Sequence, residues 1–283
     1  MIGVFDSGFG GLTIHRALTE AMPQKDFVYL GDNRNAPYGL RPPIDVLTLT
    51  CVGVQRLFDA GSTLVVIACN TASTVALRWI QQQWLPAQMR GDGLQRNVLG
   101  IVVPTIEAAT GQLWHDETPQ QLAADAALST VAVFATERTV ATETYPFEIH
   151  KRRPDIRVHQ QACPTLVPLI ESGAPRDELR VEVHRYVGEL HAQMGQTWPD
   201  RVILGCTHYP LVADLFAEVL PKGIGIIDQP AATATALVEY LQKHPQYDVA
   251  GTGKHLFLST GYSPDALPAI EAFWGGKLDF QQA

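Results

Sequence analysis

The stretch RVILGCTHYP, residues 201–210, has the form of a buried strand that ends in a thiol and an imidazole. Val202, Ile203 and Leu204 are apolar, Gly205 lets the backbone turn, and Cys206, Thr207 and His208 follow. Pro210 suits the first turn of a helix, where its missing N–H costs nothing. A second stretch, LVVIACNTAS at 64–73, has the same design: an apolar run, then Cys69, then polar and helix-forming residues. V-I-A-C-N-T set against I-L-G-C-T-H reads as a weak internal repeat.

Outward from these two stretches, short apolar runs alternate with helical patterns almost throughout. Strands are expected at 2–6, 26–30, 63–69, 98–103, 129–135, 156–161, 201–205, 223–228 and 255–260, with helices between them. The helix after 98–103 is expected to start near Pro104. Alternating strand and helix predicts an α/β fold with a mainly parallel sheet flanked by helices. The strands are continuous in Val, Ile and Leu, as strands covered on both faces are. About eight strands could close a barrel or divide into two open sheets. The Cys repeat and the polar insertions at 86–97 and 112–128 favour division; periodicity alone leaves the barrel open.

The 283 residues can bury a substantial core. With 46% hydrophobic and 18% charged residues, the composition is that of a globular protein. A net charge of -8 argues against a nucleic-acid partner. Lys151, Arg152 and Arg153 form a small basic cluster, expected to end a helix and face solvent. No apolar run reaches the roughly 18 residues that span a bilayer, and MIGVFDSGFG reads as a strand with no leader. A cytoplasmic protein without a membrane partner is therefore expected. Cys51, Cys69, Cys163 and Cys206 include no C-x-x-C pair and read as free thiols, with Cys51 and Cys163 in the core.

In open parallel sheets, function sits at the carboxyl ends of the strands. DSGFGG (6–11), PYG (37–39), Cys69-Asn70-Thr71 and Cys206-Thr207-His208 fall there. DSGFGG lacks the third glycine of a dinucleotide fingerprint, and GTGK at 251–254 is not a phosphate loop. DSGFGG is either a tight strand-to-helix turn capped by Asp6 or a turn whose amides bind a carboxylate. A thiol at a strand end is most often a small buried apolar group. Two of them, each at a helix start, suggest thiolates stabilised by the helix N-terminus, with a pKa below the ordinary value of about 8.5. His208 could exchange a proton with Cys206, and Asp6 with Cys69; alternatively His208 only caps a helix. Cys69, Cys206 and His208 as zinc ligands is the lesser reading, because their spacing is unusual for zinc.

DSGFGGL, GDNRNAPYG, ACNTAS and LGCTHYP, in that order, resemble the cofactor-independent glutamate racemases of the aspartate/glutamate racemase superfamily, over residues 2 to about 230. The resemblance implies two pseudo-symmetric α/β domains, 1–100 with 212–283 and 101–211, and an active site in the cleft between them. It implies interconversion of L- and D-glutamate for peptidoglycan synthesis, with no cofactor, no metal and a homodimer as the working form. An aspartate or other small-acid racemase is the alternative, and a non-catalytic metal or redox thiol protein a further one. Cys69 and Cys206 would be the two acid/base groups, Cys69 for the D-enantiomer's proton and Cys206 for the L-enantiomer's. Asp6 would assist Cys69, and His208, held by Glu171, would assist Cys206. Substrate ligands would be Asp6, Ser7, Pro37, Tyr38, Gly39, Asn70, Thr71, Thr139, Thr207 and His208. Contact on both faces of one carbon puts the sulfurs roughly 7 Å apart, beyond disulfide reach. The family's T-x-x-T-x-x-S-x-x-Y reads here as Thr136, Thr139, Thr142 and Tyr145, with Thr in place of Ser.

Overall fold

The computed structural model describes residues 1–88, 95–113, 129–262 and 266–283. Most of the 112–128 insertion and the middle of the 86–97 insertion lie outside the described residues. The chain forms two open sheets, not a barrel. The first contains β1 (Ile2–Asp6), β2 (Phe27–Gly31), β3 (Leu64–Ile67), β4 (Asn97–Gly100), β9 (His255–Ser259) and β10 (Gln281–Gln282), in the order β10-β9-β2-β1-β3-β4. The second contains β5 (Thr130–Ala135), β6 (Arg157–Ala162), β7 (Arg201–Gly205) and β8 (Gly225–Ile227), in the order β6-β5-β7-β8. All pairings are parallel.

The repeat seen in the sequence has a structural counterpart. The run β2-β1-β3-β4 matches β6-β5-β7-β8 position for position, and the two thiols follow the equivalent strands β3 and β7. β8 is still in the second sheet although it lies beyond residue 212, the expected return to the first unit.

Successive side chains of a strand face opposite ways, so each sheet buries two apolar faces. Ile2 and Val4 of β1 and Ala132 and Phe134 of β5 enter one continuous core. Phe5 faces a second core and Val131 and Val133 a third. The helices α1 (Leu12–Ala21), α2 (Pro43–Asp59), α3 (Asn70–Trp79), α4 (Leu85–Gln88), α5 (Val102–Thr110), α6 (Glu137–Ala141), α7 (Thr144–Arg152), α8 (Leu166–Glu171), α9 (Arg176–Gln193), α10 (Ala213–Val219), α11 (Gln229–Lys243) and α12 (Leu267–Trp274) cover these faces.

Two expectations need correction. The strand expected at 98–103 stops at Gly100, because α5 begins at Val102, near Pro104 as expected, where a proline in the first helical turn forfeits no hydrogen bond. Arg152 and Arg153 are buried rather than solvated. Arg152 Nη1 bonds Glu148 Oε2 at 3.0 Å, and Arg153 is paired with Asp155, so each buried guanidinium has an acceptor. β10, a pair of exposed glutamines, carries no apolar pattern that would announce it. No helix among the described residues is long and apolar enough to cross a membrane.

Candidate active site

A cleft lies between the carboxyl ends of the two sheets and takes walls from both. Ser7, Pro37, Tyr38, Gly39, Cys69, Asn70 and Thr71 line it from the first unit. Glu171, Cys206, Thr207 and His208 line it from the second. The cavity volume is about 40 Å³, room for a few waters. Of the residues expected at the site, Asp6 and Thr139 do not reach the cleft; both are fully buried behind its lining.

On the first wall, β3 ends at Ile67 and Cys69 takes the N-cap position of α3. Its Sγ accepts the Ala72 N–H at 3.4 Å and lies 3.4 Å from Ser7 Oγ. The helix N-terminus thus meets the sulfur as expected, but the thiol is not acidified. Burial, then the Asp6 charge, push it up to about 12, outweighing the bonds from Ser7 and Ala72. Asp6 itself ends β1 and accepts the Gly8 N–H at 2.9 Å through Oδ2. Its Oδ1 is buried without a hydrogen-bond partner. Burial raises its carboxyl pKa against the lowering influence of His208.

On the second wall, Cys206 Sγ lies 3.7 Å from His208 Nδ1, and His208 Nε2 lies 2.8 Å from Glu171 Oε1. Burial alone would depress the imidazole. Its bonds to Cys206 and Glu171 prevail and hold it up at about 10, so it is cationic at neutral pH. His208 is therefore not a simple helix cap. Gly10 explains part of DSGFGG: a Cβ there would sit 2.5 Å from His208 Nδ1. Only Ser7 of that turn lines the cleft, and the Gly8 N–H is spent on Asp6, as in the tight turn capped by Asp6.

The two walls also meet directly. The hydroxyls of Thr71, Thr136 and Thr139 form a triangle with Oγ1 separations of 3.0, 3.2 and 3.1 Å. Gly39 approaches Thr136 so closely that a Cβ would stand 2.9 Å from the threonine Cβ. Tyr38 lines the cleft, and its hydroxyl donates to Asp32 Oδ2 at 2.6 Å. Sequence reasoning passed over Asp32, which also accepts from Thr260 at 2.7 Å. Cys163 is in the core as expected, and it also lines the cleft with Val167 and Pro168. Their one signal is the Pro164 that starts the segment. Among the described residues no three His, Cys, Asp or Glu side chains converge as a metal site.

The profile of the Asp/Glu/Hydantoin racemase family matches residues 12–237. The chain belongs to this family. Within it, a glutamate racemase of Caulobacter sp. strain K31 is 51% identical over 282 residues, covering 100% of this chain and 99% of that protein. The solved glutamate racemase of Francisella tularensis, in complex with D-glutamate, superposes with a TM-score of 0.81 at 25% identity, over 100% of this chain and 95% of that one. The Thermus thermophilus glutamate racemase, in complex with β-chloro-D-alanine, gives 0.76 at 30% identity, covering 100% and 96%. The family's racemase chemistry and the two-walled cleft agree: removal and return of a proton at one carbon needs an acid/base group on each side of it.

Proposed function

We propose that this chain interconverts L- and D-glutamate without a cofactor, using Cys69 and Cys206 as the paired acid and base. The observation that carries the reading is the placement of the two buried thiols on opposite walls of one small cleft, each with its own proton-handling neighbours. The 51% identity to a glutamate racemase favours glutamate over aspartate.

In one direction a thiolate takes the α-proton; the C–H bond breaks and an S–H bond forms. The opposite thiol then gives its proton to the other face of the carbanion. The reverse reaction exchanges the roles. His208, cationic at neutral pH, can return a proton to Cys206. Cys69 needs help to ionise, and the substrate supplies it: an ammonium group placed beside Ser7, with Asp6 behind the wall, brings a positive charge that favours the thiolate. The negative charge that develops on the substrate falls to fixed donors, the hydroxyls of Thr71 and Thr207 and the amide of Asn70. Clasping of the Pro37–Gly39 segment onto Thr136 keeps bulk water out.

The two units of the proposed enzyme are 1–100 with 212–283, and 101–211, a division that rests on the motif resemblance. The working form is a cytoplasmic homodimer that supplies D-glutamate to peptidoglycan synthesis, readings that rest on the motif resemblance and are checked by sedimentation and by rescue of a D-glutamate auxotroph. The activity is tested by incubating either enantiomer in D₂O with no added cofactor. Deuterium at the α-carbon and formation of the mirror-image product are expected from both. Exchange into aspartate alone, or into neither acid, would overturn the reading.

A further inference from the structure

Asn70 lines the cleft, but most of its amide is committed behind the wall. Its Nδ2 donates to Gln229 Oε1 at 2.8 Å, and its Oδ1 accepts from Tyr145 Oη at 2.7 Å and Gln229 Nε2 at 3.1 Å. Asn70 starts α3, Gln229 starts α11, Thr105 is on α5 and Tyr145 on α7, so four helices meet at this point. All four side chains are almost wholly buried.

An amide pair of this kind can be turned end for end without losing its mutual bonds, so something else must set its direction. Thr105 does. Its hydroxyl hydrogen goes to the Ile101 carbonyl at 2.6 Å. A hydroxyl has only one hydrogen, so Thr105 Oγ1 is left as an acceptor toward Gln229. The Gln229 atom 2.8 Å from it must be the NH₂ group. The carbonyl of Gln229 then faces Asn70, the Asn70 nitrogen faces that carbonyl, and the Asn70 oxygen is filled from behind by Gln229 and Tyr145. One Asn70 N–H remains for the cleft.

We infer that Gln229 and Thr105 are positioning residues that fix the polarity of Asn70, so that it offers the cleft a hydrogen-bond donor and never an acceptor. The chain of direction runs from the Ile101 carbonyl through Thr105 and Gln229 to Asn70. A donor is what a substrate carboxylate requires, whereas an amide oxygen in its place would repel that carboxylate. The inference rests on the glutamate reading of the cleft and adds to it the device that sets one ligand's direction.

Gln229→Glu tests it. The introduced carboxyl is nearly isosteric with the amide and, when protonated, can still donate one hydrogen bond and accept another. When ionised it can only accept, and its two oxygens then pair equally well with Asn70 turned either way, so the direction of Asn70 is no longer set. Burial raises the pKa of such a carboxyl. The expected result is a KM for glutamate near that of the parent enzyme at low pH. The ratio of variant to parent KM should then climb about twofold as pH rises, the cost of a ligand free to point either way. Thr105→Val, which removes the acceptor, should raise KM about twofold by leaving the amide pair free to turn, and Thr105→Ser should restore the parent value. Asn70→Ala serves as the control for the ligand itself. If it raises KM while the Gln229→Glu ratio stays flat with pH, whether near one or uniformly high, the polarity device is refuted and the glutamate reading survives. If Asn70→Ala leaves KM unchanged, the ligand role that the inference presupposes fails first, and the inference with it.

Discussion

Cys69 and Cys206 follow equivalent strands in two copies of one sheet pattern, yet the groups around the two sulfurs differ in kind. Cys69 has a helix N-terminus, a serine hydroxyl and a buried carboxyl, and its thiol is pushed up to about 12. Cys206 is followed by a short 3-10 turn rather than a long helix and has an imidazole paired to Glu171. A duplicated framework therefore supplies matched positions, while local substitutions give each position its own proton relay. The first wall waits for the substrate's positive charge; the second carries a positive charge of its own.

If both sulfurs take part in every turnover, the largest effects come from removing either one. Cys69→Ser and Cys206→Ser should each lower kcat for racemisation about a thousandfold or more in both directions. Equal activity in one of them would make a single wall sufficient. The relays come next. His208→Asn should cost about a hundredfold in kcat, and Glu171→Gln about tenfold, since Glu171 acts only through the imidazole. The His208 ring signal in NMR should titrate below about 10 in Glu171→Gln, because one of the two bonds that raise it is gone. Asp6→Asn should move the other relay: without the carboxylate charge, Cys69 thiolate absorbance in the ultraviolet should appear below about pH 12. No movement would mean that burial alone controls that thiol.

The two relays also differ from a buried imidazole that has no relay at all. His15 is fully buried in α1 among Phe27, Tyr29, Phe257 and Trp274, and both ring nitrogens lack hydrogen-bond partners. Burial, helped by His255, depresses it to about 3. The unfolded chain gains a proton at His15 below about pH 6.5 that the folded chain refuses, so His15 lowers stability as pH falls from 6.5 toward 3. His208 has the opposite sign: its contribution is complete below about pH 6.5 and is lost as pH rises through about 10. The smallest effect on activity, none, is expected of His15→Leu. Its thermal unfolding should gain on the parent by about 1.4 kcal/mol per pH unit of acidification at most. A constant gap across that range would contradict the assignment.

Much of this asymmetry can be read from local sequence. Apolar runs ending at Asp6, Cys69 and Cys206 mark three strands whose ends meet, and the repeated Cys pattern announces the doubled sheet. His208 two residues past Cys206 already suggests a relay. What sequence does not show is what arrives from elsewhere in the chain. Thr105, Tyr145 and Gln229 reach Asn70 from three other helices and carry no motif. Cys163 and Val167 reach the cleft because α8 packs beside it. The acidity of Cys69 was misjudged because its helix N-cap is local, whereas burial and Asp6 are tertiary. Arg152 was expected in solvent because its partner Glu148 is visible only once α7 is packed.

A crystal structure with glutamate bound tests the two-sided account most directly. The account predicts the α-carbon between Cys69 Sγ and Cys206 Sγ, with each sulfur about 3–4 Å away on opposite faces. An α-carbon in contact with one sulfur only, or with both on the same face, would contradict it.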